Sequence, residues 1–134
     1  MWPGIRKVTA MKDPHNPVCQ TISSLLQRIG DKWSVLVVST LGSGSKRFNE
    51  LRREIPSVSQ RMLTLTLRNL ERDGLVNRTV TPSIPPRVDY ELTALGRSLQ
   101  GPIGQLQQWA LDNVGAIHAA QATYDAREDR AEAA

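Results

Sequence analysis

Forty-two residues in the middle of the chain, KRFNELRREIPSVSQRMLTLTLRNLERDGLVNRTVTPSIPPR at 46–87, restrict its fold more than any other stretch. Two helix-length segments are parted by Pro56 and a serine-rich turn. A run of Val and Thr and a proline-rich loop follow. This punctuation predicts helix, turn, helix and then a β-hairpin that closes with residues 88–92. Lys46, Arg47, Arg52, Arg53, Arg61, Arg68, Arg72, Arg78 and Arg87 stand against Glu50, Glu54, Glu71 and Asp73, a net +5. The whole chain is +4, so everything outside the stretch sums to −1. Net positive charge concentrated in a helix-turn-helix and a hairpin is the electrostatic footprint of a winged-helix DNA reader.

The flanks complete a single domain, for which 134 residues supply a modest core. Residues 1–17 hold three prolines and little periodicity and are expected to form a flexible arm; Met11 offers an alternative start. Val18, Ile22, Leu25, Leu26 and Ile29 recur at threes and fours, an amphipathic helix ended by Gly30, with Asp31 placed to cap the next one. That second helix, residues 32–41, is apolar almost all round and belongs in the middle of a bundle. GSGS at 42–45 breaks it. In the short third helix Phe48, Leu51 and Ile55 face one way while Arg47, Arg52 and Arg53 face the other.

The fourth helix begins at Ser57 or Ser59, since Ser57 and Gln60 have capping-box spacing, and runs to Asp73, where Gly74 stops it. Ser59, Met62, Leu63, Thr66, Leu67 and Leu70 gather on its inner side, against helices two and three. Arg61, Thr64, Leu65, Arg68 and Arg72 lie opposite, with Gln60 and Asn69 at the margins. Gln60, Arg61, Thr64 and Arg68 have the chemistry to read base edges in a major groove. Arg72, Lys46, Arg47 and Arg53 are candidate phosphate anchors, and Arg87, beside the hairpin loop, a candidate for phosphate or the minor groove. Leu65 is either a thymine-methyl contact or a scattered exposed leucine.

Thr93 caps a long last helix whose stripe, Leu92, Leu95, Leu99, Ile103, Leu106, Trp109 or Ala110, and Val114, passes an interruption at Gly101-Pro102. So much apolar surface on so small a domain points to burial against a second copy. Val18, Ile22, Leu99, Ile103, Leu106 and Trp109 are the expected dimer interface. Residues 18–118 form the domain, and 119–134, alanine-rich with alternating charge, a frayed or disordered tail. The fold class is mainly α with a small β-hairpin (α+β), a winged helix-turn-helix with N- and C-terminal dimerisation helices.

Other classes fare worse. No apolar run approaches the ~20 residues of a membrane span, and no apolar stretch follows the basic N-terminus as in a secretory signal. One cysteine makes no internal disulfide. The bacterial cytoplasm, beside the nucleoid, is the expected location. His15 and His118 lie in terminal segments, no metal-ligand cluster is spaced for coordination, and no catalytic constellation appears. Neither enzyme activity nor a cofactor is expected. Aromatic content of 4% supplies few stacking platforms for RNA. A winged-helix interaction module, or an anti-repressor without DNA binding, would have no reason to keep Arg61, Arg68 and Arg72 on one face.

Four motifs in order, IGDKW at 29–33, KRFNELRREIPSVSQRML at 46–63, LRNLERDGLVNR at 67–78 and PPRVDYELTALGRSL at 85–99, resemble the HxlR-type winged helix-turn-helix regulators, a MarR-like group. The resemblance spans about 18–109. It implies a homodimer on a pseudo-palindromic operator, mostly repressing, with recognition helix 59–73, wing 81–88, dimer helices from Val18 and Thr93, and Trp33 in the core. Several relatives in that group carry a cysteine near position 19 that senses electrophiles or oxidants. Cys19 is thus a candidate sensor, because the positive end of a helix dipole favours the reactive thiolate. Here the order is Pro-Val-Cys where many relatives have Cys-Pro, and a small buried hydrophobe is the competing reading. An electrophile or another small molecule is the implied effector.

Overall fold

The computed structural model describes residues 16–133. Most of the expected arm, Met11 and His15 included, lies outside them. Helix α1 is Pro17–Gly30, α2 Lys32–Thr40, α3 Phe48–Glu54 and α4 Gln60–Arg72. A single turn of 3₁₀ helix at Leu41–Ser43 and a two-residue strand β1, Lys46–Arg47, precede α3. Strands β2 (Val76–Thr81) and β3 (Arg87–Leu92) follow, then α5 (Ala94–Ala133). The fold is mainly helical with one antiparallel sheet in the order β1-β3-β2. The sequence reading missed β1, since two residues carry no period to detect.

Local chemistry explains the boundaries. Asn16 caps α1, its side chain accepting from the Val18 N–H at 2.8 Å, and Pro17 takes the first helical position, where a missing N–H costs nothing. Asp31 caps α2 and also accepts from the Ser34 hydroxyl at 2.9 Å, which satisfies that buried side chain. Ser59, not Ser57, caps α4: its Oγ accepts from the Met62 N–H at 3.0 Å. Ser57 has a φ of 75°, the left-handed region, which removes it from the capping role. The turn it makes brings Val58 inward at the position preceding the cap. Val58 and Leu63, the pair of positions that forms a hydrophobic staple, are both buried.

The far end of α4 closes by a Schellman motif. The Leu75 N–H bonds to the Leu70 carbonyl at 2.9 Å and the Gly74 N–H to the Glu71 carbonyl at 3.0 Å. Gly74 has a φ of +77°, a conformation that explains the glycine. Thr93 fastens the hairpin base to this point: its hydroxyl donates to the Gly74 carbonyl at 2.6 Å and accepts from the Gly96 N–H at 3.0 Å, starting α5. At Gly96 an added Cβ would sit 2.1 Å from the Leu75 carbonyl oxygen, so only glycine lets α5 start there.

Two compact units divide between Gln100 and Gly101. In the first, α2 lies against α1, α3 and α4. Val37, Val38, Leu41, Leu51, Leu63, Leu67, Leu70 and Val76 form its core. Trp33, expected there, is half-buried, with the Lys32 ammonium 4.5 Å from its ring centroid. The second unit is helical to Ala133. Residues 119–133, expected to fray, continue as regular helix although all are exposed, as their alanine content favours.

Candidate nucleic-acid interface

Helix α4 presents two chemically opposite sides. Leu63, Thr66, Leu67 and Leu70 are buried, and α4 rests on α2 and β2 through them. Met62, assigned to that inner side, is 38% exposed. On the other side Gln60, Arg61, Thr64, Leu65 and Arg68 line one shallow hollow. The four residues expected to read bases are therefore neighbours. At ~1.5 Å per residue the thirteen residues of α4 span about 20 Å, and the helix is slim enough for a major groove about 12 Å wide.

Hydrogen-bond states sharpen what this face offers. The Thr64 hydroxyl donates to the Gln60 carbonyl at 2.8 Å. Its proton is committed within the helix, so the oxygen is left to accept, as from an amino group of adenine or cytosine. Among the described residues the ion pairs are Arg28–Asp73, Lys46–Glu54 and Arg87–Asp89. Arg61, Arg68 and Arg72 are exposed and join none of them. Three guanidiniums without internal carboxylate partners leave their donor forks available to phosphate or guanine.

The expected phosphate anchors differ among themselves. Arg53 and Arg47 are exposed, and the Arg47 N–H is accepted by Glu50 at 3.0 Å, which caps α3. The Lys46 ammonium lies 3.1 Å from Glu54, its side chain only 16% exposed, and the Arg87 guanidinium lies 3.0 Å from Asp89. The Arg87–Asp89 pair lies near solvent and costs little to break, whereas Lys46 is largely shielded.

The hairpin is a two-faced ribbon. Its register pairs Val76 with Leu92, Arg78 with Tyr90 and Val80 with Val88 on one face. Asn77, Thr79, Thr81, Arg87, Asp89 and Glu91 occupy the other. Arg78, Val88 and Tyr90 line a concavity of about 560 Å³ together with Gln60, Thr64, Arg68 and Glu71 of α4. Arg78 thus joins the same surface as Arg68. The sequence reading counted its charge but assigned it no role; strand alternation, taken with the register, would have placed it on the helix-facing side.

Cys19, in the first turn of α1, is buried at 8% exposure. Of the expected dimer residues, Val18, Leu106 and Trp109 are about half exposed, Ile22 and Leu99 are intermediate, and Ile103 is already buried at 4%. Ile103 therefore has little apolar area left to offer a partner. At the other end of α1 Arg28 pairs with Asp73, the residue that ends α4. No group of His, Cys, Asp and Glu that could hold a metal occurs among the described residues. None of their helices is long and apolar enough to cross a membrane.

Comparison with known proteins gives a concordant answer. The sequence profile of the HxlR-like helix-turn-helix matches residues 28–118. The HTH-type transcriptional regulator YtcD of Bacillus subtilis (strain 168) is 40% identical over 98 residues, 73% of this chain and 78% of that one. Among solved structures, the redox regulator HypR in its reduced form superposes with a TM-score of 0.69 at 42% identity, over 74% of this chain and 98% of that one. Diamide-treated YodB from B. subtilis gives 0.61 at 37% identity, over 69% and 91%. The chain belongs to the HxlR-like helix-turn-helix family and is a DNA-binding transcriptional regulator with a MarR-like winged-helix fold.

Proposed function

We propose that the protein represses transcription by binding, as a homodimer, a pseudo-palindromic operator in the bacterial cytoplasm. One observation carries the reading. Arg61, Arg68, Gln60 and Thr64 share a single exposed hollow on a helix whose opposite side is core. In this reading they meet base edges, with Arg72, Arg47 and Arg53 on phosphates and Lys46 and Arg87 released from their carboxylates to join them. Arg61→Ala or Arg68→Ala then weakens binding to a duplex selected from a random pool by about 1–3 kcal/mol and relaxes the sequence preference at one position. Full affinity in the double variant would sink the assignment of this face. Affinity also falls steeply with added salt as counterions are released. A salt-insensitive complex would favour the alternative, a winged-helix interaction module.

The exposed apolar residues of the second unit, Leu106, Trp109, Leu111 and Val114, support the dimer, since a monomer leaves them in water. Val18, Ile22 and Leu99 belong to the proposed interface as well. An effector response is assigned to Cys19, motivated by the redox regulators among the similar structures. With one thiol per chain the chemistry open to it is an intersubunit disulfide, a mixed disulfide with a small thiol, or alkylation by an electrophile. At 8% exposure the residue offers an oxidant little surface in the folded chain. Operator binding measured with and without diamide, in wild type and Cys19→Ser, decides the matter; equal responses remove the sensor.

A further inference from the structure

Ile84 stands at the apex of the hairpin with its whole side chain in water, at 103% of its reference exposure. The apex is chemically peculiar for a ribbon thought to meet a polyanion. Residues 82–86, Pro-Ser-Ile-Pro-Pro, contain no charge, and the nearest cation, Arg87, is turned to Asp89 on the outer face. Three prolines restrict the loop, and the Ser83 hydroxyl closes it by donating to the Pro85 carbonyl at 2.7 Å. A loop held in this way loses little entropy on docking.

Reach and position agree with this chemistry. The hairpin leaves the core at Val76 and Leu92 and pairs in register out to Thr81 and Arg87. Those five steps project the apex about 16 Å at ~3.3 Å per residue. Half a turn of B-DNA, which separates a major groove from the minor groove beside it, is also about 17 Å. A minor-groove contact made through charge alone would place an arginine at the apex. An apolar, pre-shaped apex instead matches the wedges of Ile, Leu, Phe, Met or Pro that enter between base steps and bend the duplex.

We infer that Ile84 is such a wedge: it enters the minor groove flanking each half-site, partly unstacks one base step and bends the operator. The inference rests on the DNA-binding reading above and adds to it a deformation that the arginines do not supply. It assigns specificity to a step that no polar side chain reads, favouring the flexible pyrimidine–purine steps.

The test uses the full chain and a duplex enriched by the wild-type protein from a random pool, with 2-aminopurine replacing adenine in turn at each step flanking the protected half-sites. Wild type and Ile84→Leu raise the fluorescence several-fold at one step per half-site and draw the labelled duplex ends together. Ile84→Ser loses both signals while keeping the salt dependence of binding, since no phosphate contact is removed. The side chain touches nothing in the folded protein, so circular dichroism and thermal unfolding of the variants stay at wild-type values. An Ile84→Ser protein that still unstacks the step, or a wild type that binds without unstacking any, overturns the wedge and leaves the DNA-binding reading standing. A wild type that enriches no duplex overturns that reading, and the wedge with it.

Discussion

The unit that ends at Gln100 and the one that begins at Gly101 treat apolar residues in opposite ways. In the first, the stripes of α2, α3 and α4 converge, and Val37, Val38, Leu51, Leu63, Leu67 and Leu70 leave water almost entirely. In the second, only Ile103 is buried among the described residues, and Leu106, Trp109, Leu111, Val114, Ile117 and Tyr124 stay between 38% and 71% exposed. Both carry helical periodicity in the sequence. The difference shows that periodicity reports that a face is to be covered, and is silent on whether the cover comes from the same chain.

That contrast can be broken by substitution. The largest effect is expected inside the first unit: Leu67→Ala, at a site 2% exposed, leaves a cavity and costs about 2–5 kcal/mol of stability in denaturant titration. A loss below ~0.5 kcal/mol would mean that α4 is not anchored through its inner face. Next comes Trp109→Ala in the second unit, expected to weaken self-association by about 2 kcal/mol in sedimentation equilibrium, as for an aromatic anchor at an interface. Unchanged association would assign its apolar face to some other cover. Third, Ser59→Ala removes a helix cap and lowers the stability of the first unit by about 1 kcal/mol. A Ser59→Asp protein that regains it confirms capping as the cause. Smallest is Arg87→Ala, whose pair with Asp89 lies at the surface and is worth about 0.5 kcal/mol or less to folding. A large change in melting temperature there would show that the wing depends on this pair for its shape.

Much of the fold was legible because its punctuation is local. Gly74, Asp31 and Thr93 start and stop elements through hydrogen bonds to near neighbours, so the first four helices and the two hairpin strands fall within a few residues of the expected bounds, whereas the last helix runs on to Ala133. Ser57 misled because a capping hydroxyl is recognised from spacing, whereas its left-handed backbone follows from bringing Val58 inward. The division of α4 into an outer and an inner side was legible too, since helical periodicity alone separates Arg61, Thr64 and Arg68 from Leu63, Leu67 and Leu70. Non-local partners were beyond reach. Nothing in the spacing says that Lys46 meets Glu54 or that Arg28 meets Asp73. Arg78 joined the surface only when strand register placed it opposite Tyr90 and beside Arg68.

The knot at the hairpin base has a consequence for how such proteins diverge. Gly74, Leu75, Thr93 and Gly96 bind the exit of α4 to the start of α5 in one small network. Beyond it the ribbon extends into solvent, and residues 81–87 are exposed without exception. Mutations at the apex are therefore insulated from α4. Descendants can lengthen, shorten or rewrite the loop one residue at a time while inheriting α4 unchanged.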